Sequence, residues 1–108
     1  MANNFTSYMN KDVGTSAATV VTVAASTQTT IIGLSFANTT TSPITASAYI
    51  TRSAVNYYLI EDATVPVGSS LVVVGGDQKV VMITGDALKV VTSAAASADV
   101  VTSVLNIT

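Results

Sequence analysis

Glu61 and Asp62 are the only adjacent acids in the chain, and paired carboxylates are what glycoside hydrolysis and related acid–base chemistry require. Such pairs work across a cleft, whereas neighbours on an extended segment point to opposite sides, so this pair reads as a solvated turn at a strand end. Asp77, Asp86 and Asp99 each adjoin a turn signal, and loops gathered at one end of a β-sandwich can enclose Ca²⁺. Calcium wants about six oxygens and a run such as D-x-D-x-D, and no such run occurs. Histidine and cysteine are both absent, so a serine nucleophile would have to use a lysine or a carboxylate as its base. Lys79 and Lys89 sit beside valines in strand-like runs, where a solvated tip on a half-buried stem is expected. Gly75-Gly76 precedes a strand-like run rather than a helix, which excludes a phosphate-cradling loop. Tyr57-Tyr58 would serve a carbohydrate platform only if both rings faced one way; on a strand one is expected in the core and the other at a surface or interface. No catalytic residue, cofactor or metal ligand is assigned, and the chain reads as not an enzyme.

The elements that would position these residues are extended. In "TIIGLSFAN" (30–38), Ile32, Leu34 and Phe36 fall on one face of a strand and Gly33, Ser35 and Ala37 on the other; on a helix the same spacing would not make one buried stripe. Ile44, Ala46, Ala48 and Ile50 repeat the alternation. Six further runs read as strands: Thr19–Ala24, Asn56–Glu61, Ser70–Val74, Lys79–Thr84, Ala87–Ser93 and Asp99–Ile107. Turn chemistry separates them at Ser42-Pro43, Pro66-Val67-Gly68, Gly75-Gly76-Asp77 and Gly85-Asp86. "SAAASA" (93–98) is too short to nucleate a helix and reads as a small-residue turn. About eight short strands at close spacing predict an all-β, single antiparallel sandwich over residues 18–108. Residues 1–17 lack alternation and predict an irregular N-terminal arm, either a disordered tail or an anchor on a neighbouring subunit with Phe5, Tyr8 and Met9 as the candidate partner-binding residues.

Composition narrows the partners. Charged residues are 9% of the 108, against about 25% in an average domain. The four bases, Lys11, Arg52, Lys79 and Lys89, are scattered and net charge is −2, so no nucleic-acid backbone is expected as a partner. No apolar run approaches membrane-spanning length and no signal-peptide pattern opens the chain, so no membrane partner is expected. Three Asn-x-Thr acceptor patterns, at Asn4, Asn38 and Asn106, are what chance supplies in a threonine-rich chain. Sheet edges are usually guarded by Lys, Pro or inward charge, and here such residues are too few to guard every edge. Either Thr and Ser hydroxyls supply the whole hydrated surface, or large parts of it are covered by other subunits in a symmetric assembly.

Residues 65–107 also resemble a module of small virion structural proteins of tailed bacteriophages. In that module a "P-x-G-x-x-L" turn leads into a strand, matched here by Pro66, Gly68 and Leu71. Next comes "L-x-x-GD-x-[IL]-x-V", matched by Gly85, Asp86, Leu88 and Val90, and a closing "D-V-x-x-S-V-L", matched by Asp99, Val100, Ser103, Val104 and Leu105. Upstream, residues 29–50 fit that family's paired strands. The resemblance spans about residues 18–107. It implies a jelly-roll-like sandwich present in many copies on the virion as a homo-oligomer, with a trimer favoured. Its other partners would be virion proteins such as the major capsid or tail proteins. The role implied is a capsid decoration or cement protein; the alternatives are a neck, tail or fibre accessory component, or a glycan-binding module for host attachment.

Overall fold

Valine, threonine and isoleucine lose side-chain freedom in a helix and pack well on a pleated surface, and the regular structure among the described residues is accordingly all strand. The computed structural model describes residues 3–75 and 78–108. Gly76 and Asp77 of the expected glycine turn, and the first two residues of the expected arm, lie outside the described residues. Among the described residues nine strands run in chain order: β1 (Asn3–Val13), β2 (Ala18–Thr22), β3 (Gln28–Asn38), β4 (Ile44–Arg52), β5 (Val55–Val65), β6 (Ser70–Val74), β7 (Val80–Met82), β8 (Ala87–Thr92) and β9 (Ala98–Ile107). They form two antiparallel sheets. Sheet A has the order β1-β9-β3-β6, with short β7 beside β3; sheet B has the order β2-β8-β4-β5. Leaving β7 aside, the chain crosses between the sheets in the manner of a jelly roll, with sheets of four strands face to face.

All eight expected strands are present, and residues 93–97 form the small-residue turn, with Ala98 opening β9. Three local expectations need correction. The N-terminal arm is not irregular: β1 pairs with β9 from Asn3↔Ile107 to Asn10↔Val100 and resumes at Val13↔Ala98. Its far end is fastened, since the Val13 carbonyl accepts bonds from the Ser97 N–H (2.9 Å) and from the hydroxyls of Thr92 and Ser97. Gly14 lets this happen, because a Cβ there would stand 3.0 Å from the Ala96 nitrogen. Second, the register between β3 and β9 shifts between Ile31 and Gly33. This bulge reverses parity, so Ile31, Leu34 and Phe36 enter the core while Ile32 is only half-buried. Third, Glu61 and Asp62 do not end β5. They form a bulge within it, with Asp62 in the left-handed region (φ 52°) and its N–H donating to the Ser47 hydroxyl at 2.9 Å.

The core lies between the sheets. Ile31, Leu34, Phe36, Val74, Met82, Val100 and Val104 from sheet A meet Ile44, Ala46, Ala48, Val65, Leu88 and Val90 from sheet B. Its side chains are small and branched, with Phe36 the one buried phenylalanine, which suits a sandwich only two sheets thick.

Candidate interaction surface

Among the described residues no three of His, Cys, Asp or Glu come together where they could hold a metal ion. Asp86 has a different role, one the sequence did not announce. It is 1% exposed and accepts both arms of Arg52, Nε to Oδ1 at 2.8 Å and Nη2 to Oδ2 at 2.6 Å, with the Ile83 N–H at 3.0 Å on Oδ2. This planar two-point contact fastens the end of β4 to the turn before β8. The Arg52 bond holds the Asp86 carboxyl below its ordinary value against the opposing effect of burial. A carboxyl depressed in the folded state stabilises fully above the unfolded pKa, near 3.8, and that contribution drains away as pH falls towards the folded value. In Arg52→Met the carboxyl loses the partner that depresses it while burial still opposes its charge, so the variant should be less stable than the parent at neutral pH and the gap should close as pH falls below about 3.8. Superimposable acid limbs for parent and variant would show that the pair does not couple to folding.

Two of the three Asn-x-Thr asparagines, Asn38 and Asn106, are occupied structurally. The Asn38 amide donates to the carbonyls of Ser42 (2.9 Å) and Val65 (3.0 Å), and its oxygen accepts from Thr40. Asn106 accepts from the Thr29 hydroxyl at 2.6 Å.

The surface itself is asymmetric. The outward positions of sheet B are mostly hydroxyls and amides, including Thr19, Thr22, Thr45, Thr51, Asn56 and Thr64, around a Tyr49–Tyr58 ring pair with centroids 4.9 Å apart. On sheet A the outward positions include Phe5 and Met9 on β1, Val101 and Leu105 on β9, Val72 on β6 and Val81 on β7. Phe5 is 72% exposed, Met9 74% and Val72 65%. The charged residues of the sheet A strands are Lys11, Asp12 and Asp99, all at one end, where Lys11 stands 3.9 Å from Asp99. Outward Ser7, Ser103 and Ser35 lie between these side chains, and a sheet face that still exposes so many apolar groups is suited to meet something other than water.

Of the three candidate residues in the N-terminal segment, two share this face. Tyr8 has the opposite parity, lies across from buried Thr102 and packs against the core. Tyr57 and Tyr58 also depart from expectation, because both are exposed; Tyr57 stands beside Ile50 and Arg52 around an open hollow of about 300 Å³. The outward valines were missed, although the signal exists. In "SLVVV" and "DVVTSV" both parities are apolar, whereas a strand with one wet face alternates.

No protein-family model matches the chain, and no curated protein matches it in sequence. Solved structures do resemble it. A chain from the disulfide-linked pili of Bacillus endospore appendages superposes with a TM-score of 0.58 at 17% identity, over 99% of this chain and 87% of that one. A chain from the Gx strain of infectious bursal disease virus superposes with a TM-score of 0.54 at 15% identity, over 96% of this chain and 36% of that one. This chain thus spans about a third of the viral one, and at these identities the likeness is one of fold.

Proposed function

We propose that the chain is a non-enzymatic structural protein of a virus particle, most specifically a decoration or cement protein on the capsid of a tailed bacteriophage. The observation that carries this reading is the set of exposed apolar side chains on the outer face of sheet A, charged only at one end, opposite a hydroxyl-rich outer face on sheet B. One side of the slab is suited to dock on a particle and the other to meet water. Folds of this type serve in a virus and in a pilus, both built from many copies, and the module resemblance in residues 65–107 points to the phage virion. The pili are disulfide-linked, whereas this chain has no cysteine, so its association with copies or partners is non-covalent. Each contact can be weak, because many copies on one shell act together. Imaging of intact particles is the test. Density matching a slab of 45 × 28 × 21 Å, repeated over the head with sheet A inward, is the expected result. Such density confined to neck, tail or fibre would move the protein to an accessory role there, and its absence from particles would end the structural reading.

Exposed Tyr57 beside Arg52 supports a second reading, a glycan-binding module for host attachment. A glycan array without signal removes it.

A further inference from the structure

We infer that two copies of the chain join through the free edge of β1, pairing β1 with β1 of a second copy, antiparallel and centred on Ser7. The four sheet edges are unequal. β2 has five residues and a register shift; β5 carries two shifts, Glu61 and Asp62; β6 and β7 are short pieces sharing one edge of β3. Each is poorly suited to accept a long strand. β1 is different. Its register with β9 is unbroken from Asn3 to Asn10, no proline or charge interrupts that stretch, and among the described residues no strand lies beyond it.

The sequence of β1 also complements itself. With Ser7 opposite Ser7 of the second copy, Phe5 lies across from Met9 and Met9 across from Phe5, all on the outward face. On the inward face Thr6 lies across from Tyr8. Lys11 falls opposite the Asn3 amide, so no like charges meet, and its own charge already faces Asp99 at 3.9 Å. An antiparallel pair of identical strands is two-fold symmetric, so each edge saturates the other and no further strand can add. This puts a two-fold pair where the phage resemblance implies a trimer.

Area favours the same arrangement. Four strands about 4.8 Å apart and some 33 Å long give sheet A an outer face of roughly 600 Å², short of the roughly 800 Å² per partner of a stable interface. Pairing through β1 keeps both outer faces on the same side of one twisted sheet and roughly doubles the docking surface to about 1,200 Å². The inference deepens the structural reading and rests on it for the idea that copies meet.

The absence of cysteine makes the test clean. Directly opposed residues in an antiparallel pair have Cα atoms about 4.5–5.5 Å apart, within disulfide reach. Ser103 faces outward on β9 beside Ser7, and the two Ser103 residues of the pair would be about 14 Å apart, out of reach. Full-length Ser7→Cys and Ser103→Cys variants, at roughly 200 µM where weak contacts are populated, would be oxidised with copper phenanthroline and resolved on non-reducing gels. We expect a dimer from Ser7→Cys and monomer from Ser103→Cys, and a two-copy mass for the parent by sedimentation. Cross-linking of Ser103→Cys instead would mean the faces stack; a monomer from both variants, or a trimer by sedimentation, would equally overturn the pairing. A Ser7→Cys protein that stays monomeric yet still loads onto particles would overturn the pairing alone and leave the structural reading standing.

Discussion

Ile31→Ala should lower stability by about 2–5 kcal/mol, while Ile32→Ala, one residue on, should cost about 1 kcal/mol or less. Simple alternation along residues 30–38 assigns the opposite roles, because Ile32 shares parity with Leu34 and Phe36. The register shift between Ile31 and Gly33 decides otherwise. It leaves Ile31 fully buried, opposite Val104, and leaves Ile32 half-buried. Truncating Ile31 removes three buried carbons and leaves a void that a rigid sandwich collapses around only partly, whereas solvent can fill the space left by Ile32. Thermal melts read the difference directly, since in a domain of this size 1 kcal/mol shifts the midpoint by roughly 4–8 °C. Equal losses at the two positions, or a larger loss at Ile32, would remove the bulge from the structure.

That bulge marks the limit of what periodicity can reveal. Alternation identifies strands because pleating is a local property, and it identified eight of them. A bulge is set by the partner strand, and β9 lies some seventy positions away in the sequence. The Arg52–Asp86 pair escaped for the same reason: thirty-four positions separate the two residues, and only folding brings the end of β4 to the turn before β8. The β4–β5 hairpin was hidden differently. Its turn residues Ser53 and Ala54 both lie at positive φ (53° and 64°), in the manner of a tight hairpin, but neither is the Gly, Asn or Asp that usually announces one. β1 was missed because its composition argues against it. Three asparagines are poor strand formers, and its inward residues Thr6, Tyr8 and Asn10 are only half-buried at the margin of the sandwich, so the apolar contrast that signals a strand is weak.

The candidate surface was legible in part. Low charge and few edge guards leave covered surface as one of two outcomes, and Phe5 and Met9 are exposed on the outer face of sheet A. What composition does not convey is that valines from three other strands, Val72, Val81 and Val101, point the same way. Antiparallel register makes a surface out of residues that in sequence belong to separate runs. It also changes what the N-terminal segment is: as a loose arm it would be dispensable to the fold, and as β1 it is not.

Removal of residues 1–15 should therefore abolish cooperative folding rather than only docking. The deletion strips the hydrogen-bond ladder from one side of β9, with each backbone bond worth about 1 kcal/mol net, and takes away buried Val13 and half-buried Tyr8. The Gly14 and Val13 carbonyls that accept from the N–H groups of Thr92 and Ser97 go with it, leaving two backbone donors without their acceptors. The summed loss is comparable with the whole stability of a domain of this size, about 5–15 kcal/mol. Replacing Phe5 and Met9 by serine should do the reverse. Both side chains are more than 70% exposed, so the melt should stay within about 1 kcal/mol of the parent, while the outer face loses its two largest apolar groups. Particles assembled with this double variant should carry less than about a tenth of the parent's copies, since truncating anchor residues commonly costs 2 kcal/mol or more of binding at each site. Protein composition of purified particles measures this, with Thr22→Ser/Thr64→Ser on sheet B as a control expected to load normally. A deletion variant with an unchanged melt would restore the dispensable arm, and full loading of the Phe5/Met9 variant would detach the apolar face of sheet A from assembly.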